Sequence, residues 1–234
     1  MRVWVTRAEP EARRTAEALV RAGHAPMVEP LVHIQALPDA GARLAQALAG
    51  AGALAFTSLA AVRAFDALRP GDRDLPVFAV GAATAQAARD AGFPQVISAD
   101  GDVAALAAVI AAHAPNGPVL HPRAREPAGD LIGDLAARGV PAISLAIYQT
   151  LPQSPSAAFL AGLDQAPPHA VLIHSGKAAA ALAHIFADRP RLAAQLALVS
   201  ISEAAAQPLS AFAFARRAIA EAPTEADLLT ALDR

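Results

Sequence analysis

The chain repeats one unit in which a short apolar run meets serine, threonine or glycine and then continues into an alanine-rich stretch. The clearest copy is VFAVGAATAQAARDAG at residues 77–92, and further copies begin at Leu54, Val171 and Leu198. The apolar runs do not alternate with polar residues, which is typical of parallel strands covered by helices on both faces. The repeat therefore predicts an α/β fold with doubly wound parallel sheets.

Two similar segments, residues 29–38 and 144–152, end in Leu-Pro and interrupt this alternation. Proline cannot donate to a strand ladder, so each segment indicates the end of a strand. The segments bracket about 110 residues, the size of one small domain. The sequence thus predicts two domains joined by a two-stranded linker, with the first domain discontinuous. The expected ranges are 1–34 with 150–234 for domain 1, 38–146 for domain 2, and 35–37 with 147–149 for the linker strands. Within domain 1, we predict that residues 26–34 form one continuous second strand.

Composition excludes several classes of protein. With no cysteine there are no disulfides, no thiol nucleophile and no cysteine metal site. A net charge of −2 and only 4% aromatic residues argue against a nucleic-acid groove. The first apolar run is too short for a signal peptide, and none reaches the roughly 18 residues needed to cross a bilayer. We therefore expect a soluble, cytoplasmic protein without a membrane partner.

Small polar residues and glycines stand where the predicted helices begin. Helix starts expose unpaired backbone N–H groups and the positive end of the helix dipole, so several starts around one crevice would hold a ligand rich in negative charge. The alternative is that each hydroxyl only caps its helix, which is worth about 1 kcal/mol; both roles use the same atoms. The residues at these junctions are Thr57, Ser58, Gly81, Thr84, Ser175, Gly176, Lys177 and Ser202.

Arginine and tyrosine supply the other candidate site residues. Arg7 and Arg123 follow predicted strand ends, where they could bind carboxylates or remain solvated surface charges. Tyr148 is the only tyrosine and lies in the return segment. Its hydroxyl could donate a proton if it faced a cleft, or its ring could merely pack the linker. We interpret His33 and His121 as packed or partly exposed histidines rather than catalytic ones.

Taken together, these segments resemble segments of the uroporphyrinogen-III synthases. They occur in the same order along the chain as in that family. The departures are Ala124, where the family usually has glycine, and Ser200-Ile-Ser-Glu203 in place of a Gly-x-x-Thr turn. The resemblance implies two doubly wound domains joined by a pair of extended strands. The matching stretches are residues 3–7, Phe56-Thr-Ser58 leading into Val62-Arg-Ala-Phe65, Val80–Ala85, Arg123 through Asp130-Leu131, Tyr148-Gln-Thr150, His174-Ser175 and Pro223-Thr224.

The resemblance implies a lyase of haem biosynthesis that cyclises hydroxymethylbilane, with loss of water and inversion of the last pyrrole ring, to uroporphyrinogen III. It implies that no metal or cofactor is needed. Nothing in the sequence suggests an obligate interface, so we expect a monomer. Tyr148 would be catalytic, and the junction residues with Arg7 and Arg123 would bind the substrate. An alternative is a two-domain α/β protein that binds an anionic small molecule without chemistry; such proteins are usually exported, and the missing signal peptide counts against it.

Overall fold

The computed structural model describes residues 1–68, 74–127 and 129–234 of the chain. Strands and helices alternate along most of this length. In chain order the elements are β1 (Arg2–Val5), α1 (Glu11–Arg21), β2 (Ala25–Val28), β3 (Val32–Ala36), α2 (Ala40–Leu48), β4 (Ala53–Phe56), α3 (Leu59–Leu68), β5 (Val77–Ala79), α4 (Ala82–Asp90), β6 (Val96–Ser98), α5 (Val103–His113), β7 (Val119–Ala124), α6 (Leu131–Ala136), β8 (Ala142–Pro152), α7 (Ala157–Gln165), β9 (Ala170–Ile173), α8 (Gly176–Asp188), α9 (Pro190–Ala193), β10 (Ala197–Ser200), α10 (Glu203–Ala206), a 3-10 turn (Gln207–Leu209), β11 (Arg216–Ile219) and α11 (Glu225–Asp233).

The chain divides into two compact units. Unit 1 comprises Met1–His33 and Thr150–Arg234, and unit 2 comprises Ile34–Gln149. The chain therefore leaves unit 1 within β3 and returns to it within β8.

Unit 1 contains a five-stranded sheet with the order β11-β10-β9-β1-β2, in which every neighbouring pair is parallel. Successive residues of each strand are buried on opposite faces. Trp4 packs with Phe186 of α8 on one face, whereas Val5 packs with Leu19 of α1 and Leu228 of α11 on the other. Because both faces are covered, the strands are continuously apolar, as the sequence indicates.

Unit 2 contains a six-stranded sheet with the order β3-β8-β7-β4-β5-β6. The pairs β8–β7, β7–β4, β4–β5 and β5–β6 are parallel. Phe56 packs with Phe65 of α3 on one face, and Ala55 lies with Ile110 of α5 on the other. The predicted fold class, α/β with two doubly wound parallel sheets, is confirmed.

One local expectation is wrong, and one strand was not predicted. Residues 26–34 do not form one strand, because β2 ends at Val28 and β3 begins at Val32 in the other sheet. Pro30 lies in the break, where a residue without an N–H cannot continue a ladder. The sequence also gave no sign of β11, an edge strand with the sequence Arg-Arg-Ala-Ile, because its two charges hide an apolar pattern.

Candidate active site

In each sheet the carboxyl ends of the parallel strands lie at the same end of the sheet, where the following helices begin. This end is the usual ligand-binding side of an open α/β sheet. In unit 2 it carries Thr57 and Ser58 after β4, Gly81 after β5, and Arg123 near the end of β7. In unit 1 it carries Arg7 after β1, Ser175 after β9 and Ser202 after β10.

Tyr148 lies on β8 of unit 2 and owes its orientation to a β-bulge. Arg123 of β7 is opposite Ala146, but the next residue, Ala124, is opposite Tyr148, so Ile147 is the extra residue. In a regular strand Ile147 and Tyr148 would face opposite sides of the sheet. The bulge lets both pack in the same apolar cluster, and Tyr148 is only 4% exposed. Bulges often redirect a side chain next to a site, and this one is not visible in the sequence.

The hydroxyl of Tyr148 contacts the helix cap that follows β4. Its oxygen lies 3.2 Å from Ser58 Oγ, in a partly buried position. Ser58 Oγ also accepts the N–H of Ala61 at 3.1 Å and so caps α3. Burial raises the pKa of Tyr148 above its ordinary 10.0, against the opposing effect of the Ser58 hydrogen bond. Tyr148 is therefore protonated at neutral pH.

Thr57 does not cap the helix and instead lies beside a buried histidine. Its Oγ1 is 3.2 Å from Nε2 of His121, a residue of β7 that is 3% exposed. Burial, and secondarily the charge of Arg123, lowers the pKa of His121 to about 4. His121 is thus a neutral, packed histidine at pH 7, in agreement with the sequence interpretation.

Arg123 is held by neutral oxygens. Its Nε donates to Ser144 Oγ, and its Nη1 donates to the carbonyls of Ala124 and Arg125 at 2.7 and 2.9 Å. Arg123 lines a cavity of about 260 Å³. The other residues lining it are His121, Pro127, Gly129, Asp130, Leu131, Ile132 and Ser144. The guanidinium is fixed in place while its charge faces no ion-pair partner among the residues described, which suits binding of an anion.

The start of α4 corrects one expectation. Gly81, with extended backbone, is the N-cap, and a Cβ built there would have no neighbouring atom within 4 Å. Thr84 is the third residue of the helix and only 5% exposed, so it does not cap α4 as a residue at the junction would. Access to this helix start is therefore open at Gly81, whereas Thr84 points its side chain into buried surroundings.

The unit 1 junctions behave as caps. Ser175 Oγ accepts the N–H of Ala178 at the start of α8, and Ser202 Oγ accepts that of Ala205 at the start of α10. Gly176 is the first residue of α8, and a Cβ there would meet only Ala204 O, at 3.9 Å. Lys177 Nζ donates to Thr150 O at 3.4 Å. Capping is confirmed for Ser58, Ser175 and Ser202, and their contact with substrate stays a prediction.

Arg7 belongs to a polar cluster that the sequence did not reveal. Its Nη1 donates to Glu225 Oε2 at 2.8 Å, and the same carboxylate accepts the Thr15 hydroxyl and, at 3.1 Å, the Nε2–H of His174. Arg7 is therefore ion-paired rather than a solvated surface charge. The four residues come from four different elements or loops, up to 218 positions apart. The only signal in the sequence is the Thr224-Glu225 start of α11, where Thr224 is the N-cap.

The pKa values of His174 and Glu225 in this cluster are both lowered. Burial lowers the pKa of His174, and its hydrogen bond to Glu225 opposes that effect only in part. Burial alone would raise the pKa of Glu225, but the donors from His174, Thr15 and Arg7 outweigh it and hold this pKa well below its ordinary value. At pH 7 the cluster is therefore an Arg7–Glu225 ion pair supported by a neutral histidine.

Within the described residues no helix is both long enough and apolar enough to cross a membrane.

Comparison with known proteins gives one consistent result. The family model for uroporphyrinogen-III synthase HemD matches residues 13–230. A uroporphyrinogen-III synthetase structure from Helicobacter pylori matches with 18% identity and a TM-score of 0.64, over 98% of this chain and 96% of that one. A mutant uroporphyrinogen III synthase from Thermus thermophilus matches with 18% identity and a TM-score of 0.55, over 100% and 97%. At 18% identity these structural matches support the fold alone. No curated protein matches the sequence.

Proposed function

Because the chain belongs to the uroporphyrinogen-III synthase family, a family of haem-biosynthesis enzymes, we propose that it acts as a hydro-lyase on hydroxymethylbilane. It closes this linear tetrapyrrole to uroporphyrinogen III, with loss of water and inversion of the last pyrrole ring. The observation that carries the proposal is the family match over residues 13–230. The same match favours the enzyme over the binding protein without chemistry.

The catalytic problem is mainly one of positioning. Hydroxymethylbilane carries acetate and propionate arms on every ring and closes by itself to the uninverted isomer. An enzyme must fold the chain so that the disfavoured carbon of the last ring attacks, and holding reacting groups in such a geometry can lower the barrier by several kcal/mol, of order 7 or more. Fixed contacts to the carboxylate arms are the means that this chain offers.

Helix N-termini and one arginine supply those contacts in our proposal. In unit 2 the arms bind at the backbone N–H groups that begin α3 and at the start of α4, where Gly81 leaves open space. In unit 1 they bind at the starts of α8 and α10, with Lys177 near the first of these. Arg123 takes a further arm in its cavity. Two of the residues expected in this role have weaker support: Arg7 is engaged by Glu225, and Thr84 is buried.

Tyr148 is the proton donor for the leaving hydroxyl. A general acid must carry its proton at the working pH and lie at a polar, accessible point. Burial keeps the pKa of Tyr148 above 10.0, so the proton is present at pH 7, and the hydrogen bond at its hydroxyl is only partly buried. We further propose that the enzyme is monomeric and cytoplasmic. The resemblance to the uroporphyrinogen-III synthases implies that it needs no metal or cofactor.

The test is to incubate the purified protein with hydroxymethylbilane, oxidise the products and separate the isomers. The proposal predicts uroporphyrinogen III at a rate proportional to protein concentration. A heat-denatured sample serves as the control and should yield only the uninverted isomer. The proposal fails if native protein gives the same product as that control.

A further inference from the structure

We propose that Ser58 is the positioning residue of Tyr148 rather than a ligand for a carboxylate arm. In this role the Ser58 hydroxyl donates to the phenol oxygen, which leaves the proton of Tyr148 free to point at the leaving hydroxyl of the substrate. The inference rests on the proposed function and deepens it, because it assigns to one expected binding residue a different task in the same reaction.

The hydrogen bonds at Ser58 permit this direction. A serine hydroxyl has one proton to donate and two lone pairs. One lone pair of Ser58 Oγ accepts the N–H of Ala61 at 3.1 Å, which fixes the oxygen at the start of α3. The phenol oxygen of Tyr148 is 3.2 Å away and can receive the serine proton. With this arrangement the Ala61 N–H and the Ser58 O–H each have an acceptor, and the phenol O–H is left to reach the substrate.

The neighbouring threonine shows that the arrangement is specific to Ser58. Thr57 and Ser58 both follow β4, yet the hydroxyl of Thr57 lies beside Nε2 of His121, and only Ser58 contacts Tyr148. The β-bulge at Ile147 is what places the phenol next to Ser58. The hydroxyls of Thr57 and Ser58 therefore contact two different side chains. These are His121 and Tyr148, on the adjacent strands β7 and β8.

The chemical step balances with these groups alone. The carbon–oxygen bond of the hydroxymethyl group breaks, the oxygen leaves with its electron pair, and the phenol proton of Tyr148 joins it to form water. The remaining carbocation is stabilised by its pyrrole nitrogen, and the phenolate is stabilised by the hydrogen bond from Ser58. A carbon of the last pyrrole ring attacks the carbocation and forms the carbon–carbon bond that closes the ring. When the closed ring loses a carbon-bound proton to restore its pyrroles, the phenolate takes up that proton and Tyr148 is regenerated.

The hydrogen bond from Ser58 also opposes the effect of burial on the phenol. Burial raises the pKa of Tyr148, and the contact with Ser58 lowers it. A donor that stabilises the phenolate makes the buried phenol a stronger acid without removing its proton at pH 7. Loss of Ser58 would leave a weaker acid with an unrestrained hydroxyl.

The first experiment uses the fact that Tyr148 is the only tyrosine of the chain. Full-length protein labelled with ¹³Cζ-tyrosine gives one resonance, which reports the hydrogen bonding of this phenol at pH 7. We expect Ser58→Ala to shift the resonance and to raise the pKa of Tyr148 in a titration. Thr57→Val, which alters the neighbouring hydroxyl, and Ser175→Ala, which removes a comparable helix cap, should leave the resonance in place. An unchanged resonance in Ser58→Ala would overturn the proposal.

The second experiment separates positioning from substrate binding. Ser58→Ala should lower kcat about fivefold to tenfold, the range expected for one hydrogen bond, with KM nearly unchanged. Ser58→Thr keeps the hydroxyl and should recover most of the rate. In a Tyr148→Phe background Ser58→Ala should have almost no further effect, because the residues act as a unit.

The opposite kinetic result would assign Ser58 to a carboxylate arm. A higher KM at constant kcat, with the same loss in the Tyr148→Phe background, contradicts the positioning role while leaving the proposed function intact. If instead the wild-type protein yields only the uninverted isomer, the proposed function fails, and the neutral-pH resonance still decides whether Ser58 bonds to Tyr148.

Discussion

Each unit places an arginine near the carboxyl end of a buried parallel strand, and the two arginines have different partners. In unit 1 Arg7 is paired with Glu225, which also accepts hydrogen bonds from Thr15 and His174. In unit 2 the described partners of Arg123 are neutral oxygens, and Arg123 lines a cavity. An arginine at a strand end is thus a candidate anion ligand only when no carboxylate from elsewhere in the chain neutralises it. The comparison predicts that substitution of Arg7 or its partner Glu225 acts mainly on stability, whereas substitution of Arg123 acts on substrate binding.

The largest effect is expected at the proton donor of unit 2. Tyr148→Phe should lower kcat by roughly 100-fold, the lower end of what general acid catalysis contributes, without abolishing turnover. Stability should change little, because the ring stays in its apolar cluster. Steady-state kinetics and urea unfolding measure both quantities. Unchanged kinetics would show that Tyr148 takes no part in the mechanism and would contradict the expected contrast between the two units.

The next largest effect is expected in the polar cluster of unit 1. Glu225→Gln leaves Arg7 and His174 without their carboxylate, so we expect unfolding to become easier by about 2 kcal/mol, below the full value of a buried pair because the cluster is partly exposed. Urea denaturation followed by circular dichroism measures this change. The matched variant Glu221→Gln, which breaks an exposed pair with Arg234, should cost much less.

The Glu225→Gln substitution also tests how the stability of the protein depends on pH. The pKa of Glu225 is depressed in the folded protein, so its contribution is fully present above the unfolded value of 4.5 and is lost as the pH falls below it. The difference in unfolding free energy between wild type and Glu225→Gln should therefore shrink between about pH 5 and pH 3. A constant difference over that range would mean that the carboxylate is not what stabilises the cluster.

The contrast between the arginines is tested by a matched pair. Arg123→Gln should raise KM about tenfold, because one charge-assisted contact to a carboxylate arm is lost. Arg7→Gln should change KM much less and destabilise the protein instead. Titration of both variants with hydroxymethylbilane decides this. Equal increases in KM would show that Arg7 reaches the substrate despite its ion pair.

The smallest effect is expected when a methyl group is added at a helix start. Gly81→Ala keeps an extended backbone that any residue adopts and meets no atom within 4 Å, so stability should stay within about 0.5 kcal/mol. The methyl group would obstruct an arm binding at α4, and we expect a severalfold rise in KM. Gly176→Ala makes the same test for α8 of unit 1. A rise in only one variant would show which unit holds substrate at its helix start.

The sequence predicts those features that depend on neighbours along the chain. Continuous apolar runs reveal the parallel strands, and hydroxyl residues before alanine-rich stretches reveal the caps at Ser58, Ser175 and Ser202. These signals are local, because a buried strand and a helix cap are each specified within a few residues. Thr84 was placed wrongly because Gly81 can begin a helix without a capping side chain.

The sequence does not predict features that depend on distant partners. Arg7 meets Glu225 across 218 positions, and nothing near Arg7 indicates that its charge is neutralised. The bulge at Ile147 is likewise set by the pairing of β8 with β7, and it decides that Tyr148 reaches Ser58. The sequence therefore names candidate site residues, whereas the contacts that each of them makes depend on residues far away along the chain.

The most direct test of the account is a single-turnover reaction with wild-type protein in excess over hydroxymethylbilane, stopped at intervals and separated into isomers. Bound substrate then has little opportunity to close by itself in solution. The account predicts that nearly all product is uroporphyrinogen III and that its formation slows about 100-fold in Tyr148→Phe. An isomer ratio equal to that of substrate in buffer would contradict it.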